Sequence, residues 1–320
     1  MTLLTYTKIE AGGHAVSADK RYVIYRWLTS DKFMVHGIVP GASVIEAGVN
    51  DEIDDIMDAM PEDASAFHFH LNCTLTARFP KRRDELVKRL RDRGILVVNA
   101  DLTDISKQTI QRRLGAVGLN TTTASAAGDP EQLIIVKTNL NFGGDSEWAF
   151  SEDDRSNLGI GKGSDIIWKP DDYRVIPRRE VDASWWSDPS LVCERYVDNA
   201  GHLWYRAMVL FSRIVLRALV NESQIKKVAS SVITHTWNLS FAEIEHRSAE
   251  ATFPDNVARD IVRFAREFHI DYGGLDIMLD DAGRPYIIDV NSTPSYLEST
   301  PAWLAFLAGA LANPSRAEAP

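Results

Sequence analysis

The stretch that most constrains this chain is residues 275–291, in which LDIML and YIIDV read as two short strands joined by DDAGRP. A turn centred on Ala282 and Gly283 places Asp276 directly opposite Asp289, with Asn291 two residues on and therefore on the same face. Opposed Cβ atoms in an antiparallel pair lie roughly 5 Å apart. Two carboxylates so placed repel, and the apolar neighbours Ile277, Met278, Ile287 and Ile288 imply burial, so a positive charge is expected between them. Two acids and an amide are hard oxygen donors suited to Mg²⁺, which keeps waters and takes further ligands from substrate phosphates. The alternative is a hairpin whose polar face simply meets water, where Asp and Asn are common.

The 320 residues are enough for two domains, or for one with a large elaboration. YVIYRWL (22–28) and AFHFHL (66–71) read as strands, with an acidic helix around 51–60 between them. Pro80 suits a first helical turn, Leu86, Val87 and Leu90 fall at helical spacing, and Gly94 stops that helix before the strand ILVVN, which ends at Asn99. Residues 1–104 thus predict a small parallel α/β unit. Its crevice lies beyond the carboxyl ends of the strands, near His70, Asn72 and Asn99. A helix over 106–114 leads through TTTASAAGDP to the strand LIIVK, with Lys137 at its end and the turn NFGG (141–144) after it. Residues 151–189 are polar until the strand LVCERYV, and 203–217 read as two strands around a turn near Ser212. Val257, Ile261, Phe264, Ala265 and Phe268 mark one helix face. PAWLAFLAGALA (301–312) is too short for a bilayer span of roughly 20 helical residues and reads as a closing core helix before a frayed tail.

Charge narrows the function. A formal net charge of −10 argues against a general nucleic-acid binder, so a phosphate ligand needs a local cluster of positive groups. Lys137, ending an apolar strand ahead of a glycine pair, is the candidate; its alternative is a lysine that merely leaves the core for water. A Walker-type loop fails, because Gly161 and Lys162 are followed by Gly163, and Ser156 stands where the first glycine is required. The two cysteines, Cys73 and Cys193, form no framework, and the amino terminus lacks a signal-peptide pattern, so a cytoplasmic location is expected. His68 and His70 share a strand face without a third metal ligand and suit substrate contact. Lys81, Arg82 and Arg83 read as a solvated helix face, Arg178 and Arg179 as anion ligands or nothing, and Trp185 and Trp186 as packing. No nucleophile, base and orienting acid appear in a covalent-catalysis order.

In their order these pieces resemble the ATP-grasp superfamily, over the whole chain, and most specifically in GGLDIMLDDAGRPYIIDVNSTP (273–294). The resemblance implies a mixed α/β and α+β chain: an ATP-grasp fold preceded by a parallel α/β (pre-ATP-grasp) domain. It divides the chain into that domain at 1–104, a first ATP-grasp subdomain at 105–190, a second at 191–312 and a flexible tail at 313–320. It implies that Asp276, Asp289 and Asn291 hold Mg²⁺, with Mn²⁺ as an alternative, against the phosphates of ATP. Many relatives carry Glu where this chain has Asp289, which leaves one or two ions open. Lys137 and Lys107 would face phosphate, and Asn141, Gly143 and Gly144 would belong to the loop covering it. Glu194, Arg195, Tyr196 and Val197 would form the hinge whose backbone meets adenine, and Asp198 would meet the ribose. Arg206 would face the transferred phosphoryl group; its alternative is an ordinary surface arginine.

The implied activity is an ATP-dependent ligase that joins a carboxylate to an amine through an acyl phosphate, releasing ADP and phosphate. Its partners would be small-molecule or peptide substrates, with no nucleic acid and no membrane, and with oligomeric state left open. The substrates are expected to be held by the amino-terminal domain and by 151–189. A small-molecule kinase on the same scaffold and a non-catalytic nucleotide-binding regulator are the alternatives.

Overall fold

The structure, a computed structural model, describes residues 22–28, 32–161, 170–226, 231–295, 299–312 and 314. The expectations for residues 1–21, for Lys162 and Gly163, and for 313 and 315–320 lie outside the described residues.

Three sheets follow one another along the chain. The first contains β1 (Tyr22–Trp27), β2 (Ser43–Glu46), β3 (Ala66–Leu71) and β4 (Leu96–Val98) in the order β2-β1-β3-β4, all parallel. All six residues of β3 are buried, as expected for a parallel strand covered on both faces. Helices α1 (Val35–Ile38), α2 (Ile53–Asp58) and α3 (Arg83–Asp92) connect them, and α3 buries Leu86, Val87 and Leu90. Gly94, at φ 73°, follows α3 in the left-handed conformation that glycine adopts without a Cβ penalty. Helix α3 starts three residues after Pro80, so the proline lies in the preceding turn and not in the first helical turn.

Arg83 overturns the solvated-face reading of 81–83. Its side chain is 2% exposed and lies 3.8 Å over the Phe69 ring. Its Nη2 donates to the carbonyls of Asn99 (2.7 Å) and Ala100 (3.3 Å), and its Nη1 to those of Thr76 and Phe79. A guanidinium has enough donors to satisfy several buried carbonyls at once, so it serves as a structural clip.

The second sheet pairs β5 (Leu133–Thr138), β6 (Arg174–Pro177) and β7 (Leu191–Arg195) antiparallel in the order β6-β5-β7; α4 (Lys107–Ala116) precedes it and α5 (Glu152–Leu158) lies within it in sequence. Arg178 donates to the carbonyls of Ser125, Ala127 and Asp129, holding that loop instead of an anion, while Arg179 pairs with Glu131 at the surface. Trp185 and Trp186 pack against Ile134, Val136 and Leu191, as read from sequence.

The third sheet has β8 (Leu203–Leu210), β9 (Arg213–Val220), β10 (Val232–Ser240), β11 (Tyr272–Leu279) and β12 (Pro285–Asn291) in the antiparallel order β10-β9-β8-β11-β12. One of its faces packs Ala207, Val209, Leu216, Leu275, Ile277 and Val290 against Ile110 and Leu114 of α4 and Ile261, Phe264 and Phe268 from α7 (Asp255–Glu267) and its C-cap. A short α6 (Phe241–Glu245), opened by a Ser240–Glu243 capping box, leads towards α7, and α8 (Pro301–Ala308) covers part of the opposite face. The first and third sheets are clipped together where the first ends. Asn99, at φ 57°, gives its Nδ2 to Tyr272 O and accepts Tyr272 N–H, while its own N–H meets Asp271. Thr293 reaches Asn72 and Ser292 reaches Leu71 O. The carboxyl ends of β3 and β4 therefore anchor both strands of the terminal hairpin.

Candidate functional site

On the face away from α7 the third sheet carries four charges in one cross-strand row. Asp289 pairs with Asp276, Asp276 with Arg206, and Arg206 with Arg217, over β12, β11, β8 and β9. The opposition of the two acids depends on a bulge. Ile277 pairs with Ile287, so Ile288 is an extra residue in β12, and strict alternation from Ile287 with no bulge would turn Asp289 to the α7 face. Arg206 Nε donates to Asp276 Oδ1 at 2.8 Å, and the guanidinium lies 4.9 Å from the Trp204 ring. Arg217, 2% exposed, lies 5.1 Å from the Trp303 ring. Asn291 pairs with Gly274 one step along the face and accepts Thr293 N–H at 2.9 Å on Oδ1.

Asp276 and Asp289 line two cavities at once. A narrow one of about 70 Å³ runs between the second and third sheets, walled by Lys107, Lys137, Glu194 to Val197, Trp204 and Met278 among others. A larger one of about 370 Å³ lies over the charged row, lined also by Arg206, Arg217, Asn291, Met208, Trp303 and Phe142. No described residue of 151–189 lines the larger cavity; its walls come instead from the third sheet, the residues Pro294, Ser295 and Ser299 after it, α8, Phe142 and Met34.

In the narrow cavity Lys137 Nζ sits 2.7 Å from Glu194 Oε2, both side chains about one-twentieth exposed. Lys107 is buried and donates to Leu140 O; loss of hydration pulls its ammonium down to about 8, while Glu194 and Glu147 oppose the shift. The turn at 141–144 bends through positive φ at Phe142, Gly143 and Gly144, and a Cβ on Gly144 would meet Leu140 Cδ1 at 2.8 Å. Asn141 N–H donates to Thr74 Oγ1, and buried Glu147 accepts Thr74 N–H, tying the turn to the first sheet's loop.

At the hinge, the backbone N–H of Arg195 donates to Thr122 O and that of Tyr196 to Leu133 O, so both are spent inside the protein. Buried Gln111 carries the register onward: it donates to Ile287 O and accepts Thr122 N–H. Asp198 does not line the cavity. Its Oδ2 binds Lys226 Nζ (3.1 Å), His202 Nδ1 (3.0 Å) and the Tyr196 hydroxyl (3.2 Å), so it holds Lys226 in the wall. His68 and His70 lie in the interior, packed with Tyr22, Phe33 and Tyr272, and burial pulls His68 down to about 3. They are core residues and line neither cavity.

Sequence reasoning missed Arg217, Glu147, Gln111 and Trp303. Arg217 had a signal, since a turn near Ser212 places it opposite Arg206.

No family model matches the chain, and no curated protein matches it in sequence. Solved structures do match. The ATP-grasp ligase PsnB, complexed with a minimal precursor, superposes at a TM-score of 0.52 with 13% identity, over 93% of this chain and 100% of that one. The chain has the ATP-grasp fold. The same ligase with precursor peptide PsnA2 and AMPPNP gives 0.50 at 15% identity over 92% and 98%, and with a phosphomimetic precursor variant, Mg and ADP 0.52 at 12% over 91% and 98%. In this chain the donor set at the hairpin is two carboxylates and an amide; among the described residues no group of three or more His, Cys, Asp or Glu is placed for a metal. Oxygen donors of that kind fit a hard divalent cation and do not fit a soft one. Among the described residues no helix is long and apolar enough to cross a membrane.

Proposed function

We propose that this chain is an ATP-dependent ligase that joins a carboxylate to an amine. One observation carries the reading: the opposed acids Asp276 and Asp289 stand where two cavities meet, one flanked by buried lysines and one open above a pair of arginines. Phosphates entering from the narrow side and an acid entering from the wide side converge on the same two carboxylates. The ATP-grasp fold and the Mg and ADP carried by one PsnB complex support it.

Asp276, Asp289 and Asn291 would hold Mg²⁺, which when bound supplies charge neutralisation to the transferring phosphoryl group. Lys137 and Lys107 meet the phosphates, and Glu194 keeps Lys137 oriented until they arrive. Arg206 turns from Asp276 to the γ-phosphoryl group. The turn at 141–144 shields the acyl phosphate from water, and the amine nitrogen then displaces phosphate at the acyl carbon. No enzyme nucleophile is needed. At about 70 Å³ the narrow cavity is far below the roughly 300–1,000 Å³ of small-molecule sites, so the second and third sheets part to admit the nucleotide.

Incubation with ATP, Mg²⁺, hydroxylamine and a panel of carboxylates and hydroxyl-bearing small molecules tests the reading. Hydroxamate formed together with ADP supports a ligase. ADP release with a stable phosphate ester and no hydroxamate indicates a kinase, and nucleotide binding without ADP release across the panel indicates a regulator.

A further inference from the structure

The turn at 141–144 belongs by sequence to the second sheet, since it follows β5, but by contact it belongs to the first. Thr74, just past the end of β3, holds it. The Thr74 hydroxyl accepts Asn141 N–H at 2.9 Å, the Thr74 N–H goes to Glu147 Oε1 at 2.5 Å, and the Thr74 carbonyl accepts Ile105 N–H at 2.9 Å on the approach to α4. Thr74 and Glu147 are each 1% exposed, so water does not compete for these bonds. The chain after the turn keeps to the same domain. Phe150 stacks on Trp27 with ring centroids 4.2 Å apart and meets Phe79 edge-on, and Leu158 and Ile160 join the core formed by Tyr25, Phe69 and Leu86.

The first domain is in turn clipped to the third sheet through Asn99, Ser292 and Thr293, and α4 sends Ile110 and Leu114 into that sheet's core. Strands β5 and β7 have a separate small core of Ile134, Val136, Val181 and Leu191. Two bodies result. They join at Asn139 and Leu140, whose carbonyls accept the backbone N–H and the ammonium of Lys107. The turn is also held in a conformation that it would not adopt freely: Phe142 lies at φ 45° and ψ 45°, a left-handed pair that is costly for an aromatic residue and persists where the surroundings fix it.

We propose that Thr74 is a positioning residue for the phosphate cover: its hydroxyl anchors the turn at 141–144 to the amino-terminal domain, so that the second sheet swings away alone when nucleotide enters. The proposal deepens the ligase reading and rests on it for what the turn covers. The cover then stays in one body with Asp276 and Asp289, and the nucleotide meets it already in place. A turn that travelled with β5 would instead be ordered only by the nucleotide.

Hydrogen exchange and AMPPNP calorimetry on the parent, Thr74→Ser and Thr74→Val test it. Serine keeps the hydroxyl that accepts Asn141 N–H, whereas valine keeps the shape and removes it. The Asn141 amide is expected to be protected in the parent and in Thr74→Ser before any nucleotide is added, and to exchange roughly tenfold faster in Thr74→Val, with chymotrypsin cleavage after the exposed Phe142 rising in step. Affinity for AMPPNP with Mg²⁺ is expected to fall roughly tenfold in Thr74→Val and to be kept in Thr74→Ser. An Asn141 amide that exchanges freely in the parent until AMPPNP and Mg²⁺ are added overturns the proposal. So does a Thr74→Val protein that exchanges Asn141 at the parent's rate or, where the parent binds AMPPNP, binds it equally. If Thr74→Val does not fold, the parent and Thr74→Ser decide alone. Protection of Asn141 in a parent that binds no AMPPNP removes the ligase reading and leaves the anchoring of the turn standing.

Discussion

Arg206 Nε stands 2.8 Å from Asp276 Oδ1 across the β8–β11 pairing, so the acid that faces Asp289 already carries a cationic partner. Opposed carboxylates in a buried hairpin are tolerable on those terms. The guanidinium does before catalysis what a divalent cation is proposed to do during it, and the two compete for one carboxylate.

That competition has a measurable sign. Arg206→Gln leaves Asp276 and Asp289 facing each other with less compensation, so melting in divalent-free buffer is expected to fall, by about 1 kcal/mol for a pair that is partly exposed. The shift from AMPPNP alone is expected to shrink in the variant, which lacks the γ-phosphoryl contact, while the further rise that Mg²⁺ adds to AMPPNP-bound protein is expected to be larger in the variant than in the parent. Equal Mg²⁺-dependent rises in the two proteins would show that the arginine and the cation do not share Asp276.

The Lys137–Glu194 pair makes a second case. Both groups are buried, and breaking such a pair costs about 3–5 kcal/mol because a charge is left uncompensated. Lys137→Met is therefore expected to destabilise the protein as well as weaken AMPPNP binding, and Glu194→Gln added to it is expected to recover most of the stability and none of the affinity. Denaturant melts and calorimetry on the two singles and the double close the cycle. Recovery of both properties would assign Lys137 to structure alone.

Lys107 supplies a pH test. Burial holds its ammonium near 8, below the 10.5 of a solvated lysine, so the folded protein binds fewer protons than the unfolded chain between those values. Its contribution is a fixed cost below pH 8 that is relieved as pH rises towards 10.5. The stability of the parent minus that of Lys107→Met is expected to grow over this window, by on the order of 1–3 kcal/mol. A flat difference from pH 7.5 to 10 would mean that Lys107 is hydrated or fully paired in solution.

The terminal hairpin was legible because its determinants are local: two apolar runs, a glycine turn and two acids at matching distances from it. Even there the observed route differs, since a five-residue connection from Asp280 to Arg284 combines with the bulge at Ile288 to give the expected Asp276–Asp289 pairing. Arg83 was illegible because three basic residues in succession look solvated, while the carbonyls it gathers come from positions 76 to 102. Lys137 facing Glu194, and Asp198 facing Lys226, depend on contacts 57 and 28 residues apart in the chain, which no local spacing encodes. Arg217 was readable from the β8–β9 turn but passes for an ordinary strand arginine until Arg206 and the two acids are placed in the same row.

The account stands on Asp276, Asp289 and Asn291 as the place where a divalent cation meets the phosphates, and Asp289→Asn examines it with a change of one atom type. Melting curves of parent and variant, each with AMPPNP and with or without Mg²⁺, give the metal-dependent part of nucleotide stabilisation directly. The parent is expected to gain a clear Mg²⁺-dependent rise and Asp289→Asn to lose most of it, equivalent to at least a tenfold loss of affinity. A Mg²⁺-dependent rise of undiminished size in Asp289→Asn would contradict the assignment.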